Sequence, residues 1–383
     1  MNLLMISGDS TIAAGRRGAF YLMLERFAPV WSRVDVIVPR PSAVVTTELF
    51  GNVFVHPSSK TKAWQWRHIA DCGRALHRKR PYALMTSHDY GWHVNGLGAW
   101  LLNRTTGTPY VSEIHHVTGY PRSANLIERA QRCATQLYIR AVKRRVAGFR
   151  VVNAIELPNL LRRLGVPQGK ILILNSLYID TDVFTPRPVD KQFDVMFCGR
   201  ADTNKGVGIL LRAFARIVRT RPTASLLLRT AGPAEASWRR LADRLAITPH
   251  LTWRGWVRSE SELAELYRAS RMLVCTSFSE GGPRVTAEAM ACGIPVISTP
   301  VGLMPELIEP GRSGLLVDWT PTSVAAAIER LLDDPEAAAT IGAAGRERVA
   351  RFERSAVIDA YASAYAALAR GETLAPRRGD ERG

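Results

Sequence analysis

A chain of 383 residues is too long for one ordinary core and long enough for two. Its 46% hydrophobic and 22% charged residues describe a globular protein in water, with no apolar run as long as a membrane span. The net charge of +17 is uneven: residues 1–188 carry 25 Lys+Arg against 11 Asp+Glu, and residues 189–383 carry 26 against 23. The positive excess therefore belongs to the first half and implies an anionic partner there: a phosphorylated acceptor, a membrane surface or nucleic acid. Five scattered cysteines without a CxxC pair argue against a zinc centre or a disulfide frame and fit a reducing cytosol.

In chain order, Asn2–Ser7 reads as a buried strand rather than a signal peptide, since it lacks a basic flank. Further strands are predicted near 34–38, 83–86, 109–113, 147–152 and 171–174, with helices at 18–30, 62–79, 91–103, 123–146 and 155–164. Beyond Thr185-Pro186-Arg187-Pro188, whose prolines favour an extended linker, the alternation resumes. Strands there are expected near 193–198, 225–231, 251–254, 272–276 and 294–298. Helices are expected at 206–219, 235–246, 260–269, 285–292 and 322–333, and a last helical run at 347–369. Alternating βα units predict parallel sheets covered by helices, and two series predict two Rossmann-like domains. The domain boundaries read as 1–185, 186–350, a returning helix at 351–370, and a polar, disordered tail at 371–383.

The richest stretch runs from Ser279 to Gly293. Glu280 follows a strand, Gly281-Gly282-Pro283 makes a turn, and Glu288 falls in an Ala/Met-rich helix. This layout aims two carboxylates into the crevice at a strand's C-terminal end, where open α/β sheets bind ligands, and suits a sugar plus a ribose. Arg200 and Lys205 sit between a strand and a helix start, where two cations beside free backbone N–H groups suit a diphosphate.

Phe197-Cys198-Gly199-Arg200, Asn204-Lys205-Gly206, Leu251 to Val257, Glu280 to Thr299, Gly302 to Ile308 and Gly311 to Val317 stand in one order that resembles the family 4 glycosyltransferases. The resemblance covers most of 170–365. It implies a GT-B fold, with two Rossmann-like domains facing each other across a cleft and a C-terminal helix crossing back to the first. It implies a retaining transfer of sugar from a nucleoside diphosphate, UDP or GDP, to a hydroxyl of a glycan or lipid-linked acceptor in cell-envelope polysaccharide or glycolipid synthesis.

By that resemblance Arg200 and Lys205 hold the diphosphate, Glu288 takes the ribose hydroxyls, and Glu280, Gly281, Gly282 and Pro283 line the donor-sugar pocket. Gly255, Trp256 and Val257 lie near the base. Gly15 opens the first domain's loop, and His115 or His116, with His116 favoured, reaches the donor sugar. The Gly-Gly-Pro after Glu280 departs from the family's usual Gly-Phe-Gly, which leaves the sugar open.

Asp180-Thr181-Asp182 matches a metal-binding DxD pattern, but it sits in the segment entering the linker. Metal-independent transfer, with no cofactor, is expected. Nucleic acid is not the expected partner. The rival readings are a GT-B phosphorylase or sugar-phosphate synthase, and a catalytically degenerate protein that binds anionic surfaces or nucleic acid.

Two basic stretches complete the reading. In 123–146, Leu126, Ala130, Cys133, Leu137, Ala141 and Val142 recur at helical spacing among arginines; Lys60, Lys62, Trp64, Trp66, Arg67 and His68 mix cations with aromatics. Such surfaces suit peripheral association of a cytoplasmic protein with an anionic membrane, or else a core-packed helix with a solvated face.

Overall fold

The computed structural model describes residues 1–372, so the expected tail from 373 onward lies outside the described residues. The chain divides into two compact units. One comprises Met1–Thr118, Ala130–Ser176 and the segment from Ser355; the other comprises Gly119–Arg129 and Leu177–Arg354. The chain passes from the first unit to the second for the last time at Ser176/Leu177, ahead of the proline pair.

The first unit carries β1 (Asn2–Ile6), α1 (Ala19–Phe27), β2 (Arg33–Val38), β3 (Glu48–Leu49), β4 (Val53–Pro57), α2 (Gln65–Lys79) and β5 (Leu84–His88). It continues with α3 (Val94–Thr106), β6 (Tyr110–Ile114), α4 (Leu126–Val142, whose first turn belongs to the other unit), β7 (Gly148–Val151), α5 (Glu156–Arg163) and β8 (Ile171–Ile173). The strands form one sheet in the order β3-β4-β2-β1-β5-β6-β7-β8, parallel except for the β3–β4 pair. β3 and β4 were not expected from the sequence: Val53-Phe54-Val55 is only three residues long before His56-Pro57, and β4 as a whole, Val53–Pro57, pairs with β2 from Val34 to Val38.

The second unit carries β9 (Phe193–Cys198), α6 (Val207–Thr220), β10 (Leu226–Arg229), α7 (Glu235–Arg244), β11 (Leu251–Arg254), α8 (Glu260–Arg268) and β12 (Ser270–Cys275). It continues with α9 (Arg284–Ala291), β13 (Val296–Ser298), α10 (Met304–Leu307), β14 (Leu315–Leu316), α11 (Pro321–Asp333) and α12 (Pro335–Val349). Its sheet is parallel throughout, in the order β11-β10-β9-β12-β13-β14. α6 shows how the pattern works. Val207, Leu210, Leu211, Phe214 and Ile217 recur at helical spacing and are buried against Val195, Phe197, Leu226 and Leu228 of the strands. At about 1.5–3 kcal/mol per buried aliphatic side chain, that stripe outweighs intrinsic propensity in fixing the helix.

Caps set the ends. The Ser259 side chain accepts the Glu262 amide at the start of α8, and Thr320 and Asp334 accept the amides of Ser323 and Ala337 ahead of prolines that open α11 and α12. Two expectations need correction. Left-handed backbone at Gly91 and His93 delays α3 to Val94. The run 347–369 is not one helix: α12 ends at Val349, a 3-10 turn spans Ala350–Phe352, and α13 (Arg354–Ala369) follows. α13 from Ser355 clusters with the first unit, where the hydroxyls of Tyr361 and Tyr365 donate to Glu113 of β6 at 2.6 and 2.7 Å.

Candidate active site

The order of strands in the second unit reverses between β9 and β12, so the loops after these two neighbours leave the sheet side by side. Crevices at such switch points are where α/β sheets bind ligands. Lys205 comes from the loop after β9 and Glu280 from the loop after β12, and their side chains meet in an ion pair. Burial works against the Lys205 charge, but Glu280 outweighs it and holds the ammonium above its ordinary value. The Ser277 hydroxyl donates to Glu280 at 2.9 Å.

The two loops are laced together. Phe278 donates its amide to the Asn204 carbonyl at 2.7 Å, the Asn204 side chain donates to the Ser279 carbonyl at 3.3 Å, and the Thr276 hydroxyl donates to the Lys205 carbonyl at 3.1 Å. Trp319 and Thr299 both donate to the Ser277 carbonyl, at 2.8 and 2.7 Å. Two glycines permit this closeness. Gly206 has φ +62° and a side chain there would overlap the Thr276 carbonyl. Gly302 has φ +55°, and its Cβ would overlap the Gly281 carbonyl and come within 2.6 Å of the Glu280 oxygen.

Arg200 is on the same loop as Lys205, 71% exposed at the side chain and paired with Asp202 at 3.1 Å. Gly281 and Gly282 form the turn, and Pro283 stands as N-cap of α9 with its carbonyl bound by the Thr286 hydroxyl at 2.6 Å. Glu288 is buried in the second turn of α9, not at its start, and accepts the Tyr267 hydroxyl at 2.9 Å. Burial pushes its carboxyl up, while the Arg284 charge and the Tyr267 hydroxyl pull the other way. Gly255, Trp256 and Val257 follow β11; Trp256 is 53% exposed, with the Arg229 guanidinium 4.0 Å from its ring centroid. Arg229 is buried, and among the described residues its Nε has no hydrogen-bond partner.

The remaining expected residues belong to the first unit. Gly15 takes φ +76° and closes a turn that begins at Thr11, ahead of α1. His115 follows β6 and lies against His88, with ring centroids 4.3 Å apart and ring planes tilted by 34°. Its Nε2 lies 3.2 Å from Arg150 Nη1 and 3.4 Å from Glu113 Oε2. Arg150 is itself buried: Nη1 donates to Glu113 at 3.0 Å, Nε to the Leu174 carbonyl at 3.1 Å and Nη2 to the Asn175 carbonyl at 3.0 Å. Burial, above all, lowers the pKa of His115 and pushes that of His88 down to about 3. His116 is half-buried on the same loop. Asp89 is enclosed, its carboxyl bound by the hydroxyls of Ser87, Ser112 and Tyr138, and burial pushes it up to about 7.

Tyr267, Ser277, Trp319 and Arg229 escaped the sequence reading because each acts by supporting another residue, which no local pattern signals. Gly302 stood in the quoted motif, but its role depends on a contact with the carbonyls of Glu280 and Gly281. Asp180 accepts the Asp182 amide at 3.2 Å and pairs with Arg354 at 3.2 Å, so one carboxylate of the DxD pattern is held in a turn and an ion pair. Among the described residues no group of three or more His, Cys, Asp or Glu is placed to hold a metal.

Two parallel-sheet Rossmann-like domains define the GT-B class. Sucrose-phosphate synthase from Thermosynechococcus elongatus superposes with a TM-score of 0.81 at 25% identity, covering 97% of this chain and all of that one. Anabaena Alr3699/HepE in complex with UDP-glucose superposes with a TM-score of 0.73 at 19% identity, over 95% and 99% of the two chains. Residues 192–334 match the family described as Glycosyl transferases group 1. The D-inositol 3-phosphate glycosyltransferase of Segniliparus rotundus is 30% identical over 316 residues, 76% of this chain and 68% of that protein. The chain belongs to the group 1 glycosyltransferases.

Proposed function

We propose that the protein transfers a sugar, with retention of anomeric configuration, from a nucleoside-diphosphate sugar to a hydroxyl of a glycan or lipid-linked acceptor. The observation that carries this reading is the Lys205–Glu280 pair at the switch point of the second sheet, just ahead of the N-terminal turn of α9. Arg200 and Lys205 bind the diphosphate and neutralise the charge that grows on it as the glycosidic bond breaks, in the role a divalent metal has elsewhere. Glu280 accepts hydroxyls of the donor sugar, with Gly281, Gly282 and Pro283 lining the pocket. Glu288 accepts the ribose hydroxyls. Gly255, Trp256 and Val257 flank the base.

From the first unit, Gly15 and a histidine, His116 or His115, serve the sugar and acceptor. The leaving diphosphate assists deprotonation of the acceptor on the same face of the sugar. UDP is the first carrier to test, because a structural neighbour was captured with UDP-glucose. Synthesis of a cell-envelope glycan at the cytoplasmic face of an anionic membrane fits the basic first half of the chain. Among the described residues no helix is long and apolar enough to cross a membrane.

Thermal unfolding against UDP, GDP, ADP, CDP and their glucose conjugates tests the donor reading. A ligand at about 100 times its Kd adds about 2.7 kcal/mol of stability. One nucleotide is expected to raise Tm well above the rest, and no shift with any of them overturns the assignment.

The buried Glu288 supplies a pH test. A carboxyl whose pKa is raised in the folded protein takes up its proton at a higher pH than an ordinary one. Affinity for the ribose-bearing ligand is therefore expected to fall on acidification before ordinary carboxylates titrate. Tyr267→Phe, which removes a donor to the ionised form, is expected to move that fall to still higher pH. Calorimetric titration of the nucleotide across pH reads both, and identical profiles for the two proteins would exclude Glu288 as the ribose acceptor.

A further inference from the structure

Helix α4 turns its main apolar stripe outward. Its buried side presents Glu128, Thr135, Ile139 and Val142. At 100° per residue, Leu126, Ala130, Cys133, Leu137 and Ala141 fall on the opposite side, and all five are exposed, Leu126 at 75% and Leu137 at 65%. Ile127, 66% exposed, extends this stripe. An exposed leucine alone needs no explanation, but a continuous stripe along a helix of 17 residues, about 25 Å, does.

The charge around the stripe selects what covers it. Residues 126–146 hold six cations, Arg129, Arg132, Arg140, Lys143, Arg144 and Arg145, and one acid, Glu128. Glu128 is buried and accepts the Ala124 amide at 2.6 Å, so the exposed side of the helix carries cations and no carboxylate. A second copy of the same face would bring like charges together around the apolar contact. An anionic bilayer meets both features, because leucine side chains enter the acyl boundary while guanidinium groups stay among lipid phosphates.

We infer that the outward face of α4 is the surface by which the protein docks on anionic lipid. This rests on the membrane reading given above and names the element responsible for it. The docking would hold the enzyme where a lipid-linked acceptor is concentrated.

The test is co-sedimentation of the full chain with vesicles of phosphatidylcholine alone or mixed with phosphatidylglycerol. Binding to the mixed vesicles is expected to be at least about tenfold tighter than to the neutral ones and to weaken as salt is added. Ile127→Ser/Leu137→Ser and, separately, Arg140→Glu/Arg144→Glu are each expected to reduce it about tenfold or more. Tm and its shift with UDP-glucose are expected to stay as in the parent. Should the serine pair lower Tm, the charge-reversal pair tests the same face without touching an apolar residue.

Wild-type protein that ignores anionic vesicles overturns both the docking face and the membrane reading. Binding that survives both pairs overturns α4 alone. A concentration-dependent dimer that Leu137→Ser dissociates, without vesicle binding, assigns the face to a second copy and also overturns the inference.

Discussion

Lys205→Ala is expected to lower the turnover of bound donor by about 100- to 1000-fold, the usual cost of removing one preorganised group that stabilises charge in a transition state. The ammonium is fixed before any ligand arrives, because Glu280 holds it and the loop carbonyls are tied to Thr276 and Phe278. A fixed charge requires little reorganisation when the leaving diphosphate becomes more negative. The substitution also leaves Glu280 with a partly buried carboxylate that has lost its counter-ion, which destabilises the loop. The double variant Lys205→Ala/Glu280→Gln separates the two effects: it is expected to recover stability without recovering turnover. Release of nucleoside diphosphate, followed alongside thermal unfolding, reads both quantities. A rate within threefold of the parent in Lys205→Ala removes this residue from the mechanism.

Gly302→Ala is expected to cost about 3 kcal/mol or more of stability. Left-handed backbone alone costs an alanine about 1–2 kcal/mol. The new methyl would also overlap the Gly281 carbonyl and crowd that of Glu280. The loop carrying Glu280 must then shift, so donor affinity is expected to fall together with stability. Gly255→Ala is the matched control: its Cβ meets nothing within 4 Å and its backbone is not left-handed. It is expected to change stability by about 0.5 kcal/mol or less. Urea unfolding of the two variants checks the contrast, and equal midpoints would show that the Gly302 approach is not tight.

Most of the βα alternation was legible because buried parallel strands are short apolar runs and their helices carry a 3.6-residue stripe. β4 was missed because its apolar run is short and ends in His56-Pro57. The break after α12 was missed because nothing in Arg351-Phe352-Glu353 punctuates a helix as glycine or proline would. α4 shows a different limit. Its apolar spacing was plain, but periodicity identifies a stripe without saying which way it faces. Here the inward side is built of a caged Glu128, the Thr135 and Tyr138 hydroxyls, Ile139 and Val142, and two of those hydroxyls serve His93 and Asp89.

By itself the sequence determined that two parallel-sheet domains would form, that Lys205 would follow one strand and Glu280 another, and that Glu288 would lie on the helix after the second. These are local facts, set by strand length, turn glycines and helical spacing. Only the tertiary structure decided that β9 and β12 are neighbours, so that residues 75 positions apart share one ion pair. It also decided that Tyr267 stands behind Glu288, that Gly302 presses on the Glu280 loop, and that the leucines of α4 face outward. Strand order and helix orientation follow from how whole elements bury their surfaces against one another, and no window of the chain contains that balance.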